Sequence, residues 1–262
     1  MDLQLAGKTA LVTGSTAGIG FAIARTLAEE GAAVILNGRT RERVDAALAP
    51  LLDRHLKVQG LAADLGTAAG VQQATETFPH VDILVNNLGI FEPKPFEDIP
   101  DEDWFRFFEV NVMSGVRLSR YYLPRMKQDN WGRVIFVSSE SALQIPGEMV
   151  HYGMTKTAQL AIARGMAETT IGTAVTVNSV LPGPTASEGV TQFVGQLAAA
   201  GKTTRAEVER DFFLKARPSS LLQRFEQPEE IAALVAFVVS PLASGINGAS
   251  LRVEGGVLRS IA

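Results

Sequence analysis

The sequence contains no cysteine, which excludes disulfide bridges and zinc sites built from thiolates. Its three histidines, His55, His80 and His151, do not cluster along the chain, so we expect no metal site. Acidic and basic residues nearly balance, with a formal net charge of −4. A chain with so little excess charge has no basic face for nucleic acid or for an anionic membrane, and neither is expected as a partner.

Long apolar runs are also missing. A helix that spans a bilayer needs roughly 20 apolar residues, and the longest tight run here, IAALVAFVV at 231–239, has about half that length. The N-terminus, MDLQLAGKTALVTG, enters a β-rich run almost at once and lacks the charged-then-apolar layout of a signal peptide. We therefore expect a cytoplasmic protein.

What the chain does contain is a regular alternation of apolar β-rich runs with segments of helical period. Strands that are nearly continuous in apolar residues are typical of a parallel sheet with helices on both faces. The pattern predicts one α/β domain over residues 1–262, a Rossmann-type doubly wound parallel sheet. The predicted strands are 9–13, 32–37, 56–64, 82–87, 132–139, 174–181 and 249–254, and the predicted helices are 18–30, 41–54, 67–77, 101–128, 149–171 and 228–240.

The segment 184–227 breaks this alternation and holds two short helical patterns. A long insertion after the carboxyl end of a strand lies where such sheets bind ligands. We interpret it as a substrate lid, with an ordinary surface helical hairpin as the alternative.

A glycine-rich turn follows the first predicted strand, in TALVTGSTAGIGFAIARTLAEEG. Gly14, Gly18 and Gly20 permit a tight turn, close approach of a pyrophosphate and close helix–strand packing. The helix that begins there has unpaired N–H groups for the phosphates. The alternative is a purely structural turn, but three glycines between an apolar strand and an Ala-rich helix favour dinucleotide binding.

The end of the second predicted strand, VILNGRT, bears on the choice of cofactor. An NAD-binding unit usually has an acidic residue there for the ribose 2′-hydroxyl, and Asn37, Gly38, Arg39 and Thr40 include none. Because Arg39 has a planar guanidinium that suits a 2′-phosphate, we favour NADP(H), with NAD(H) as the alternative. Asp64, after the third strand, is a candidate acceptor for the adenine amino group.

These motifs, together with others further along, resemble the short-chain dehydrogenase/reductase family over essentially the whole chain. The matching stretches are TGSTAGIG at 13–20, Asn86-Asn87-Leu88-Gly89, Asn111 in VNVMSG, Ser138-Ser139, Tyr152-x-x-x-Lys156 and Pro182-Gly183. The resemblance implies a single domain with a seven-stranded sheet, an NAD(P)(H) cofactor and a catalytic tetrad of Asn111, Ser139, Tyr152 and Lys156. Ser139 lies at the interval before Tyr152 that the family's serine occupies, and Ser138 is the weaker candidate.

The same resemblance extends the set of expected cofactor contacts beyond the glycine turn. The expected contacts are Gly14, Ser15, Thr16, Gly18, Ile19, Gly20, Asn37, Arg39, Asp64, Leu65, Asn87, Gly89, Tyr152, Lys156, Pro182, Gly183 and Thr185.

The pair Tyr152 and Lys156 suggests how the reaction proceeds. Four helical steps turn the chain by about 40° and advance it by roughly 6 Å, so both side chains share a face. A free tyrosine has a pKa near 10, and the Lys156 ammonium is expected to lower the pKa of Tyr152 toward working pH. Tyr152 is then the general acid/base and Ser139 a donor to the substrate oxygen. By resemblance, Asn111 holds a proton-relaying water; a helix-kinking Asn bonded to nearby backbone is compatible with that.

We therefore predict an NADP(H)-preferring enzyme that interconverts a ketone and a secondary alcohol. The expected pocket wall is mostly apolar, which suits a small or medium, largely apolar substrate. It consists of Ile90, Phe91, Gln144, Met149, Met154, Val190, Phe193, Phe212 and Phe213.

Three alternatives to this prediction are an NAD-dependent alcohol dehydrogenase, a 3-oxoacyl (carrier-protein or CoA) reductase and a cofactor-binding regulatory protein without turnover. Carrier docking is disfavoured because Asp129-Asn130 and Thr173 stand where such reductases tend to have basic residues. By resemblance we expect a homotetramer, with a dimer next.

Overall fold

Seven parallel strands form one sheet in the order β3-β2-β1-β4-β5-β6-β7 in the computed structural model, which describes residues 1–201 and 203–261 apart from the side chain of Phe193. The strand order reverses between β1 and β4, and ligands of open α/β sheets bind at such a point, beyond the carboxyl ends of the strands. The strands are β1 Thr9–Val12, β2 Ala33–Gly38, β3 Val58–Ala62, β4 Ile83–Asn86, β5 Gly132–Val137, β6 Val175–Pro182 and β7 Ser250–Val253.

The helices cover both faces of this sheet. They are α1 Gly18–Glu29, α2 Arg41–Leu52, α3 Ala68–Thr77, α4 Asp101–Phe108, α5 Ser114–Gln128, α6 Val150–Glu168, α7 Glu188–Gly201, α8 Arg205–Lys215 and α9 Pro228–Val238. Because successive strand side chains point to opposite faces, Val12 joins the apolar core under α1, α2 and α9, and Leu11 joins the core under α3, α5 and α6. The predicted doubly wound architecture is confirmed, with strand ends shifted by one or two residues.

One predicted helix, 101–128, differs in detail. Residues Glu109–Met113 form a π-helical turn between α4 and α5. A π-turn inserts an extra residue into a helix and is frequent at functional sites. Asn111 lies in this turn and is buried, so the local widening turns its side chain toward the carboxyl end of the sheet.

The segment 184–227 contains α7 and α8 and returns to the sheet at its own starting point. Glu226 N donates to Pro184 O over 2.9 Å, and Ala186 N donates to Glu226 O over 2.8 Å, so the two ends of the segment pair beside β6. Glu188, at the start of α7, forms an ion pair with Arg43 of α2 at 3.0 Å. Among the described residues, no helix is long and apolar enough to cross a bilayer.

Candidate active site

The glycine turn between β1 and α1 has the geometry that the sequence predicts. Gly14 and Gly18 have φ of +60° and +57°, a region that favours glycine. A Cβ on Gly20 would lie 2.5 Å from both Gly14 O and Asn87 Nδ2, so only glycine fits there. The N-cap of α1 is Ala17, and no side chain among the described residues caps the helix. Its first N–H groups are therefore left to a ligand, which is the arrangement that a pyrophosphate requires.

Two predicted cofactor residues turn out to hold this turn in place. Asn37 is buried; its Oδ1 accepts from Gly14 N over 3.0 Å, and its Nδ2 donates to Ala63 O over 3.0 Å. Ser15 Oγ donates to Val12 O over 2.7 Å and accepts from Asn37 N over 2.9 Å. Backbone groups at the ends of β1, β2 and β3 thus bond both side chains. The geometry therefore does not favour a direct contact between either side chain and a cofactor.

Asn87 extends the same network to β4. Its Nδ2 donates to Thr13 O over 2.9 Å and to Gly14 O over 3.1 Å, which ties the carboxyl ends of β1 and β4 together. Gly89 follows two residues later, and a Cβ there would lie 3.5 Å from both Asn111 Oδ1 and Lys156 Nζ. The backbone thus passes close to two tetrad residues at the strand-order reversal.

The residues proposed for the adenosine end lie on the far side of the glycine turn. Arg39 is exposed and makes no ion pair within the described part of the chain, so its guanidinium is free to meet a ligand. Asp64 is exposed, and its Oδ1 accepts from Gly66 N over 3.0 Å. Leu65 is 1% exposed and packs in the core under α3 and α5, which leaves only its backbone for the predicted contact.

Ser138, Ser139 and Tyr152 all line one cavity, but the two serine hydroxyls have different partners. Ser138 Oγ donates to the carbonyl of Lys156 over 2.9 Å, which anchors β5 to α6. Ser139 is the N-cap of a short 3₁₀ turn, Glu140–Ala142, and its hydroxyl is not used to join β5 to α6. This placement favours Ser139 over Ser138 as the serine that meets a substrate.

Lys156 lies on the same face of α6 as Tyr152, as the spacing predicts, but the pKa of Tyr152 lies above its ordinary value rather than below it. Burial raises the pKa of Tyr152 to about 12, and a hydrogen bond with Ser139 opposes the rise. Lys156 Nζ lies 5.6 Å from the centroid of the Tyr152 ring and donates to Val137 O over 2.9 Å. Burial also lowers the pKa of Lys156 to about 8. Burial is therefore the largest influence on the pKa of both groups.

The side chain of Asn111 is bonded to nearby backbone, as the second interpretation of its role expects. Its Oδ1 accepts from Ile90 N over 2.8 Å, and its Nδ2 donates to Ile90 O and to Thr155 Oγ1, each over 3.0 Å. Gln159 Nε2 donates to the carbonyl of Asn111 over 2.6 Å, and Gln159 Oε1 lies 3.4 Å from Lys156 Nζ. Asn111 thus braces the loop after β4 and joins, through Gln159, the polar group that surrounds Lys156.

A cavity of about 840 Å³ extends from Ile19 at the glycine turn, past Ser139 and Tyr152, to the segment 184–227. Pro182, Gly183 and Thr185 line it on the sheet side. Of the predicted wall, Phe91, Met149, Val190 and Phe212 line this cavity. Gln144 instead lines an adjoining cavity, Phe213 is buried in the fold, and the side chain of Phe193 lies outside the described residues.

Sequence reasoning missed five charged residues in or near this site. Glu140 and Arg217 form a buried ion pair beside Ser139, Arg43 of α2 pairs with Glu188 at the start of α7, and Glu226 accepts from Gly183 N over 3.1 Å. The partners are separated by 43 to 145 residues, so no local pattern signals them. The cluster of arginines in GRTRER at 38–43 is the one sequence feature that could have drawn attention to Arg43.

Glu226 gives a prediction for the pH dependence of stability. Burial raises the pKa of Glu226 from 4.5 to about 7. Between these values the folded protein binds more protons than the unfolded chain, so this group's contribution to stability falls as the pH rises toward 7. Glu226→Gln has no carboxyl group that titrates in this range. Between pH 5 and pH 8 we therefore expect the free energy of unfolding of wild type to fall relative to that of Glu226→Gln, by up to about 3 kcal/mol.

Denaturant unfolding at the two pH values measures this difference. Glu97→Gln, which changes an exposed carboxylate outside the cavity, is the control and should follow wild type. Equal pH dependence in wild type and Glu226→Gln would show that Glu226 stays ionised in the folded protein.

Comparisons with known proteins point to oxidoreductases. A family model described as short chain dehydrogenase matches residues 8–197. YvaG, an uncharacterized oxidoreductase of Bacillus subtilis strain 168, is 54% identical over 263 residues, with 100% of each chain covered. A D-beta-hydroxybutyrate dehydrogenase of Cupriavidus necator is 35% identical over 97% of this chain and 98% of its own. The crystal structure of L-sorbose reductase from Gluconobacter frateurii, complexed with NADPH and L-sorbose, matches with a TM-score of 0.93 at 30% identity over 100% of both chains.

Proposed function

The chain belongs to the short-chain dehydrogenase family of NAD(P)-dependent enzymes, and from this premise we propose that it is an NADP(H)-preferring oxidoreductase that interconverts a ketone and a secondary alcohol. The observation that carries the proposal is the single cavity that joins Ile19 at the glycine turn to Ser139 and Tyr152. A cofactor bound at the glycine turn would place its nicotinamide in this cavity. The hydroxyl groups of Ser139 and Tyr152 line the same cavity and suit a carbonyl oxygen.

The bound cofactor supplies or accepts a hydride at the carbon of the substrate carbonyl. The residues that would hold its pyrophosphate are Gly14, Gly18, Ile19 and Gly20, through backbone N–H groups at the start of α1. Pro182, Gly183 and Thr185 would flank the nicotinamide end, since they line the same cavity. Lys156, buried behind Gly89, would hold the adjoining ribose.

Tyr152 gives or takes the proton at the substrate oxygen. Because burial holds the pKa of Tyr152 at about 12, the phenol keeps its proton at neutral pH and can donate it to the alkoxide that forms during reduction. Ser139 donates to the same oxygen and stabilises its developing charge. For the oxidative direction the phenol must lose its proton, which the positive charge of the oxidised nicotinamide and of Lys156 favours.

The walls of the cavity support a small or medium, largely apolar substrate. Phe91, Met149 and Val190 line it from three different segments, and Phe212 and Phe225 close it from the segment 184–227. Charged residues such as Glu148, Glu207 and Lys215 also line the cavity, so the support for a largely apolar ligand comes from this apolar part of the wall. We propose that 184–227 is the lid of this pocket.

A screen of ketones with NADPH, and of secondary alcohols with NADP⁺, tests the proposal by following nicotinamide absorbance. Turnover of at least one ketone is the expected result. Turnover only with NAD(H) would favour an NAD-dependent alcohol dehydrogenase, turnover only of 3-oxoacyl thioesters a 3-oxoacyl reductase, and no turnover of any compound a regulatory protein. Light scattering on the same sample tests the proposed homotetramer, which a monomer mass would contradict.

Arg39 gives a sharper test of cofactor preference. If its guanidinium pairs with the 2′-phosphate, Arg39→Ala should raise the dissociation constant of NADPH by about 10- to 100-fold and leave that of NADH nearly unchanged. Fluorescence titration measures both constants. Arg41→Ala is the control, because Arg41 is also exposed and pairs with Asp45 at 3.2 Å. Tighter binding of NADH than of NADPH by the wild type would contradict the proposed preference.

A further inference from the structure

A buried ion pair lies directly behind Ser139. Arg217 Nε donates to Glu140 Oε1 over 2.7 Å, and both residues are less than a tenth exposed. Among the ion pairs of the described residues, this is the one with both side chains buried to that degree. Taking two charges out of water costs several kcal/mol, and an apolar pair would often serve stability equally well. Stability alone therefore does not explain the pair, and the groups that it contacts in the cavity point to another role.

Glu140 is the acceptor for two serine hydroxyls. Ser139 Oγ donates to Glu140 Oε2 over 2.7 Å, and Ser141 Oγ donates to the same oxygen over 2.6 Å. Ser141 N donates in turn to Ser139 Oγ over 3.1 Å. A carboxylate that accepts from a guanidinium has no proton to give, so the direction of each serine hydroxyl is fixed by Glu140.

The same pair places two opposite charges near Tyr152. The groups that face Tyr152 are Lys156 from α6, Glu140 from the 3₁₀ turn after β5 and Arg217 from the segment after α8. The charge of Glu140 raises the pKa of Tyr152, and the charge of Arg217 lowers it. Glu148 and Lys215 also line this cavity. Removing one partner of the pair should therefore move the ionisation of Tyr152 in a direction that depends on which partner is removed.

We propose that Glu140 and Arg217 are positioning residues for the reaction, with Glu140 fixing the Ser139 hydroxyl beside the substrate oxygen and Arg217 fixing Glu140. This rests on the proposed function, because it requires Ser139 and Tyr152 to act on the substrate. When negative charge develops on the substrate oxygen, Ser139 turns its proton from Glu140 toward it. Glu140 then keeps a donor on each oxygen, Arg217 on one and Ser141 on the other, so no buried acceptor is left unpaired.

The arrangement also gives the segment 184–227 a part in the reaction. Arg217 follows α8, and its Nη1 donates to Ala216 O over 2.9 Å, which holds the guanidinium against its own backbone. The segment that closes the cavity thus also completes the hydrogen bonds behind Ser139.

Kinetics of Glu140→Gln test the positioning role. The amide keeps the shape but replaces one acceptor oxygen by a donor, so the three hydrogen bonds cannot all persist. We expect kcat to fall by about 10- to 100-fold with KM nearly unchanged, since the hydroxyl is displaced rather than lost. Arg224→Gln is the matched control: it removes an ion pair with Glu230 from the same segment, outside the cavity, and should leave kcat unchanged. An unchanged kcat in Glu140→Gln would overturn the proposal.

A second measurement needs no substrate. Phenylmethanesulfonyl fluoride modifies a tyrosinate with loss of fluoride, so the rate at which it labels Tyr152, read by peptide mass spectrometry, follows the ionised fraction of the phenol. We expect faster labelling than wild type in Glu140→Gln and slower labelling in Arg217→Met, with about a tenfold change in rate for each unit of pKa shift. A purely structural role would give equal rates, or changes of the same sign, and either result would overturn the proposal.

Arg217→Met leaves a buried carboxylate unpaired and can fail to fold. The double variant Glu140→Gln/Arg217→Met avoids this, because both charges are removed. We expect it to label Tyr152 at close to the wild-type rate while kcat stays low, since the amide at position 140, no longer held by a guanidinium, does not fix the direction of the Ser139 hydroxyl. A double variant with wild-type kcat would refute the positioning role. Retained turnover in Tyr152→Phe would instead refute the proposed function, whatever the labelling rates are.

Discussion

Tyr152→Phe should reduce kcat/KM for ketone reduction by about 10²- to 10⁴-fold, the range that a positioned general acid contributes. The phenyl ring keeps the packing against Ser139 and the wall of the cavity but has no proton to give to the substrate oxygen. NADPH binding should change little, because the glycine turn and Arg39 are untouched. Steady-state kinetics with a ketone identified by the screen, together with a fluorescence titration of NADPH, measure both quantities.

Tyr121→Phe is the matched control for this substitution. Tyr121 OH lies 3.3 Å from Thr75 O, on the helical layer away from the cavity, so removal of its hydroxyl should leave kcat/KM unchanged. Turnover in Tyr152→Phe close to that of Tyr121→Phe would mean that the proton comes from another group.

The second large effect is expected at the glycine turn. The Cβ introduced by Gly20→Ala would lie 2.5 Å from Gly14 O and from Asn87 Nδ2, and neither atom can withdraw without breaking the hydrogen bond between them. We expect a loss of stability of about 1–3 kcal/mol from overpacking. If the turn carries the phosphate-binding N–H groups, as we propose, the dissociation constant of NADPH should rise by about 100-fold, or roughly 2.7 kcal/mol.

Gly245→Ala controls for the general effect of adding a methyl group to a glycine. A Cβ at Gly245 would meet no heavy atom within 4 Å, so both stability and NADPH binding should match wild type. Calorimetric melting and the NADPH titration give the comparison. Unimpaired NADPH binding in folded Gly20→Ala would contradict the assignment of the turn to the cofactor.

The architecture could be predicted from the sequence because it is encoded locally. Continuous apolar strands, a glycine-rich turn and helices of regular period each lie within one stretch of chain, and right-handed crossovers then give a doubly wound sheet. The placement of Tyr152 and Lys156 on one face of α6 follows from their spacing alone. A kink at Asn111 is one of the roles that the sequence suggests, but its partner Ile90 lies 21 residues away and no local pattern identifies it.

The pKa of Tyr152 shows where local reasoning is insufficient. Spacing places an ammonium one helical turn away, but the size of the shift depends on how deeply each group is buried and on which atoms their hydrogen bonds reach. Lys156 turns toward Val137 O, and desolvation raises the pKa of Tyr152. The pairing of Glu140 with Arg217 spans 77 residues and was beyond local reasoning for the same reason.

Asn37 shows that a motif can indicate the right region without giving the role of each side chain. Residues that distinguish NAD from NADP lie at the end of β2 in such units, and the absence of an acid there favours NADP(H). The amide itself, however, is engaged by Gly14 N and Ala63 O. Arg39, which is exposed, is the residue that we propose for recognition of the 2′-phosphate at this end of the site.

The proposed function depends on hydride transfer from a nicotinamide to a carbonyl carbon beside Tyr152. Mass spectrometry of the alcohol formed from a ketone and NADPH deuterated at the transferring position of the nicotinamide tests it directly. We predict that the product gains one deuterium on the carbinol carbon in the wild type, and that Tyr152→Phe forms almost none of this product. An alcohol without deuterium, or equal yields from the two proteins, would contradict the proposed function.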